Sequence, residues 1–157
     1  MKKLLIIIGI IFSFSTIQAS EVSEWFEKES NQFLEIINNN EGTESENYER
    51  YKVFVNKNFA VKSIAYGLIG ESIINESSKN ELTIYLNVFT DYLITTIYKL
   101  ANSSTSSSIT LKDVDVKDNI YIIKSEIIDK KTSTNLYWKV IDTGSSFKII
   151  DVIVENT

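Results

Sequence analysis

Apolar residues recur at helical spacing over the first two thirds of the chain and alternate with polar ones over the last third. From Val22 to about Asn40, Trp25 and Phe26, then Phe33, then Ile36 and Ile37 return on one face, so a first helix is expected there, with Ser23 as a candidate cap. Asn38-Asn-Asn-Glu-Gly42 breaks it. A second helix is expected over Ser45 to Asn58, where Tyr48, Tyr51, Val55 and Phe59 form a stripe. A short third one is expected over Ala60 to Ile69, with Val61, Ile64, Ala65 and Leu68 on one side and Gly70 as its stop. The clearest signal follows. Ser78-Lys-Asn-Glu81 is a capping box, in which the Ser hydroxyl accepts from the backbone N–H of Glu81 and the Glu carboxylate accepts from that of Ser78. Leu82, Tyr85, Leu86, Phe89, Leu93, Ile97 and Leu100 then repeat at i, i+3, i+4, i+7.

After a Ser/Thr-rich connector at Asn102 to Ser108 the period becomes two. Ile109, Leu111, Val114 and Val116 make a strand with an offset near Lys112-Asp113. Asp118-Asn119 turns the chain into a strand over Ile120 to Ile128. Tyr121, Ile123, Ser125 and Ile127 lie on one of its faces; Ile120, Ile122, Lys124, Glu126 and Ile128 lie on the other. A turn at Asp129 to Ser133 leads to the alternating run from Leu136 through Trp138 and Val140. Asp142-Thr-Gly-Ser turns again, and Phe147-Lys-Ile-Ile-Asp-Val is the last strand. Short connections make sequence neighbours sheet neighbours, so the expected fold class is α+β: N-terminal helices packed on a curved four-stranded antiparallel sheet. Which sheet face turns inward is left open.

The N-terminus changes the domain count. Lys2-Lys3, the apolar run from Leu4 to Phe12 and small residues up to Ala19 read as a signal peptide over residues 1–19, ahead of a single domain over 20–157. The apolar run is short for a bilayer span, and a retained anchor is the alternative. Cleavage after Ala19 leaves 138 of the 157 residues, and loss of Lys2 and Lys3 takes the net charge from −5 to −7. That length supports a sizeable core, which the chain needs, because an exported protein with no cysteine has no disulfides to lean on. The acidic balance opposes nucleic-acid binding and tight binding to anionic membranes.

With neither His nor Cys, Ser-His-Asp and Cys-His catalysis and His- or Cys-based zinc sites are excluded. No metal or cofactor is expected. A carboxylate pair remains conceivable at Asp142 and Asp151. Asp142 opens a turn, however, where Asp bonds its own backbone, and a structural hydrogen bond is expected of Asp151.

Three ordered segments resemble the MlaC/toluene-tolerance family. They are Val55-Asn-Lys-Asn-Phe59 with Ser63-Ile-Ala-Tyr-Gly-Leu-Ile-Gly70, the helix from Ser78 to Leu100, and the closing hairpin with its aromatic strand, Gly turn and Phe-Lys-Ile-Ile-Asp-Val strand. The similarity spans roughly Trp25 to Glu155. It departs in places. The family's Phe-Asp pair is Phe59-Ala60 here, the aromatic and Arg positions after Leu-Gly are Glu71-Ser-Ile-Ile74, and many relatives are basic. The family continues past the last strand with Gly-Val-Ser and a helix, whereas this sequence ends at Thr157, so one cavity wall is expected to be missing or differently supplied.

The resemblance implies a periplasmic phospholipid carrier with an acyl-chain cavity between helices and sheet, and no catalysis. Such a carrier maintains outer-membrane lipid asymmetry by moving lipid between an outer-membrane lipoprotein/porin complex and an inner-membrane ABC transporter with an MCE-domain protein. The expected cavity walls are Val61, Ile64, Leu68, Leu86, Phe89, Leu93 and Ile97 from the helices. Tyr121, Ile123, Ile127, Trp138, Val140, Ile150 and Val152 are expected from the sheet. Plain core packing is the competing reading for each, and a monomer is expected. The alternatives are an exported binding module with a filled core and a small cavity enzyme of the NTF2-like type.

Overall fold

The computed structural model describes residues 4–39, 41–103, 108–128 and 132–155. Four helices come first: α1 (Leu4–Asn38), α2 (Glu44–Asn58), α3 (Val61–Glu76) and α4 (Lys79–Ser103). Four strands follow: β1 (Ser108–Lys117), β2 (Ile120–Ile128), β3 (Ser133–Asp142) and β4 (Phe147–Glu155). They form one antiparallel sheet in the order β1-β2-β3-β4, the expected α+β arrangement. Parts of the expected connector and turn, residues 104–107 and 129–131, lie outside the described residues, as do residues 1–3 of the segment read as a leader.

Local chemistry sets the element ends. α2 starts from a capping box one residue earlier than expected. The Thr43 hydroxyl accepts from the Glu46 N–H at 3.3 Å, and the Glu46 carboxylate accepts from the Thr43 N–H at 2.7 Å. The same pair of bonds closes the Ser78–Glu81 box of α4, at 3.3 and 2.8 Å. Gly70 interrupts α3 with φ 79 and ψ 161, after which the chain resumes a helical stretch to Glu76. The kink sits where the sequence places a stop.

In the sheet, the offset near Lys112 is a bulge between Leu111 and Asp113. Asp118 and Asn119 both take positive φ (52 and 63), the two-residue turn whose twist suits a hairpin. In the β3–β4 turn the Asp142 carboxylate accepts from the Gly144 N–H at 2.7 Å.

α1 lies on one face of the sheet. Trp25 meets Phe147 and Phe26 meets Trp138, each with ring centroids 5.6 Å apart. α2 packs beside it, with Phe33 stacked on Phe54 at 4.9 Å and Tyr51 edge-on to Tyr98 of α4 at 5.3 Å. The α2–α3 junction is pinned to the sheet edge: Phe59 bridges Ile149 in parallel, and the Ala60 N–H donates to the Ile149 carbonyl at 2.9 Å. The core therefore comprises Val22, Phe26 and Ile37 of α1, Tyr51, Phe54 and Val55 of α2, Phe59 after it, Ile94 and Ala101 of α4, and Tyr121, Ile123, Val140 and Ile149 of the sheet. Among the described residues no helix is long and apolar enough to cross a membrane.

Candidate functional site

The cross-strand register answers the question of which sheet face turns inward. Val116, Tyr121 and Val140 are neighbours across β1–β3; so are Val114, Ile123 and Trp138, with Val152 beyond on β4. Tyr121, Ile123, Ser125, Leu136 and Val140 are buried, which puts the Tyr121–Ile127 face inward. Trp138 keeps its polar edge satisfied there, because its Nε1–H donates to the buried Ser125 hydroxyl at 2.8 Å. Burial raises the Tyr121 phenol above its ordinary pKa, with the charges of Asp142 and Glu21 adding to it.

The residues expected to wall a cavity divide into two groups. Val61, Ile64, Leu93, Ile97, Trp138 and Val152 are half-buried and pack on the core, while Tyr121, Ile123 and Val140 are part of it. Leu86, Phe89, Ile127 and Ile150 are half-buried outside that cluster, and Leu68 is 68% exposed. Ile150 misses the inner row for a definite reason. The pairing of β3 with β4 shifts between Lys139 and Val140, and the shift gives Ile149 the buried place while Val152 resumes the inner row. A one-residue shift moves side chains to the opposite face. A strictly alternating reading of Phe147–Val152, which puts Ile150 and Val152 on one face, misses it.

The apolar cavity expected between helices and sheet is not seen in the described structure. There α1 lies directly on the sheet, with Trp25 against Phe147 and Phe26 against Trp138. Two concavities lie elsewhere, between the end of α1 and α2. One, of about 180 Å³, is lined by Gln32, Glu35, Ile36, Asn39 and Arg50; the other, of about 340 Å³, by Gln32, Ile36, Glu46, Glu49, Arg50 and Val53. Charged rims and open shape make them poor receptacles for a hydrocarbon chain.

Polar chemistry inside the fold is sparse. Glu29 of α1, 5% exposed, accepts from the Lys57 ammonium through both carboxylate oxygens at 2.7 Å and from the Asn58 amide at 2.9 Å, while the same ammonium also donates to Gln32 Oε1 at 3.0 Å. This ties α1 to α2 across a sequence separation of 28, which no local pattern signals. The Tyr51 hydroxyl and the Asn58 Oδ1 are buried with no partner among the described residues. Asp151 sits on the outer face, paired with Lys139 at 2.8 Å, and Asp142 serves its turn, so these two carboxylates do not converge. Among the described residues no cluster of three or more acidic groups is disposed to hold a metal ion.

A helical layer on an antiparallel sheet, joined through an aromatic and aliphatic interface, defines a protein of the α+β class. Residues 27–157 match the MlaC protein family, and the chain belongs to that family of periplasmic phospholipid-binding transport proteins. No curated protein matches the chain in a sequence search.

Proposed function

We propose that this chain is a phospholipid carrier of the periplasm, delivered by a signal peptide cleaved after Ala19. The observation that carries this reading is the family match, which runs over 131 of the 157 residues, from 27 to 157. The inward faces of α3 and α4 hold the acyl chains against the core. Each methylene withdrawn from water contributes about 0.8 kcal/mol, so an apolar interior suffices and no catalytic group is needed. Transfer requires similar lipid free energies in carrier and membrane, which favours an interior with few polar contacts.

The closed interior is read as the lipid-free form. Lipid enters by parting α3 and α4 from the core, where Val61, Ile64, Leu93 and Ile97 are only half-buried, while α1 and α2 stay fixed by the Glu29–Lys57–Asn58 bonds. The Gly70 kink in α3 is the hinge of this motion, and the Tyr85 hydroxyl bond to the Ala65 carbonyl, at 2.9 Å, holds α3 to α4 as they part. The partners on either side are the MCE-domain ABC transporter of the inner membrane and a lipoprotein/porin complex of the outer membrane. The test is lipid extraction and native mass spectrometry of the mature protein. Co-purified phospholipid is expected. Lipid-free protein that also fails to exchange labelled lipid between vesicles would refute the carrier.

A further inference from the structure

α4 is apolar on two opposite sides. Leu86, Phe89, Leu93, Ile94 and Ile97 face the fold. The other side carries Ile84, Val88 and Tyr92 at i, i+4 and i+8, which are 54%, 64% and 67% exposed. A helix that is apolar on its solvent side as well as its core side is expected to have a partner there. The stripe ends on exposed Glu81 at the N-terminal side and exposed Lys99 at the C-terminal side.

Read backwards, this stripe complements itself. When a second α4 is laid antiparallel about a two-fold axis at Thr90, Glu81 stands level with Lys99 of the second copy, and Val88 with Tyr92 of the second copy. Two-fold symmetry repeats both pairs, which is the isologous pattern of a symmetric dimer. Asp91 lies on the flank near the axis, so the two copies of that carboxylate oppose each other. A membrane surface fits less well: Glu81 and Asp91 border the stripe and the chain carries a net charge of −5, both unfavourable beside anionic lipid.

We propose that the outer face of α4 is a homodimer interface formed by antiparallel pairing with a second copy of this chain, opposite the face assigned to lipid. A single helix face falls short of the roughly 1,000 Å² expected of a stable interface, so the dimer is weak and depends on concentration.

The test is sedimentation velocity of the lipid-free mature protein over a wide concentration range, with circular dichroism to confirm folding of each variant. Val88→Glu and Tyr92→Lys lie at exposed positions, and each alone should weaken association by about tenfold or more. The double variant V88E/Y92K sets the new opposite charges level with each other and should restore association. Asp91→Asn should strengthen it. A wild-type chain that stays monomeric throughout would overturn the proposal, as would a double variant that associates no better than the singles. Vesicle binding that Val88→Glu abolishes, without any self-association of the wild type, would assign the stripe to a membrane instead. Because lipid-free protein is used, failure here leaves the carrier reading untouched.

Discussion

Tyr51 is 1% exposed, and its ring packs edge-on against Phe33 and Tyr98 while its hydroxyl has no partner among the described residues. Burial holds its phenol above the ordinary pKa, with the neighbouring Tyr98 adding to the effect. An unpaired buried hydroxyl costs about 1–3 kcal/mol, whereas the ring contributes through packing. Tyr51→Phe should therefore keep or raise stability, by about 1 kcal/mol in urea denaturation. A loss of that size would show that the hydroxyl is satisfied in solution. Ser125 gives the opposite case. Its hydroxyl is the acceptor for Trp138 Nε1–H inside the sheet, so Ser125→Ala strands a buried donor and should cost about 1–3 kcal/mol. The aromatic positions of this pair were legible in the alternation of β2 and β3. Their hydrogen bond was not, because it depends on the register that sets Ser125 next to the Trp138 row.

At the scale of elements, the two capping boxes predict a pH response. The Glu46 carboxylate is held below its ordinary pKa by the Thr43 backbone and hydroxyl, and Glu81 by the Ser78 hydroxyl and backbone. A depressed folded pKa adds stability above the unfolded value, and this is lost as the pH falls through the folded one. Helix content and stability should thus decline on acidification through and below the ordinary carboxylate range. Glu81→Gln keeps a box-competent side chain and should flatten part of that decline when followed by circular dichroism. Gly70 adopts a conformation reserved for glycine, so Gly70→Ala should cost about 1–3 kcal/mol or straighten α3.

Elements with local causes were legible in the sequence: the Ser78 box, the Gly70 break, the Lys112 offset and the Asp118-Asn119 turn each stand at the expected residue. The Thr43-x-x-Glu46 box carried the same signal as Ser78 and would have corrected the start of α2. The β4 shift at Ile150 did leave a trace that strict alternation overlooks: Lys148 and Asp151 stand three residues apart yet both face outward, so the period must slip between them.

For the whole molecule, order and spacing made the fold class and the family readable. The state of the interior was not, since the same apolar residues serve a packed core and a lipid site. Where α1 settles decides between them. Its Trp25 and Phe26 occupy the inner face of the sheet, so a bound acyl chain must lie under α3 and α4 or displace these rings. Lipid that binds only the folded protein raises its apparent stability. The mature protein should therefore unfold at a higher temperature when purified with its lipid than after delipidation. The most direct test of the carrier is transfer of a labelled phospholipid between donor and acceptor vesicles by the mature chain. The account predicts transfer that scales with protein concentration, together with a protein–phospholipid complex in native mass spectrometry. Vesicles that exchange no faster with the protein than without it, and a protein mass free of lipid, would contradict it.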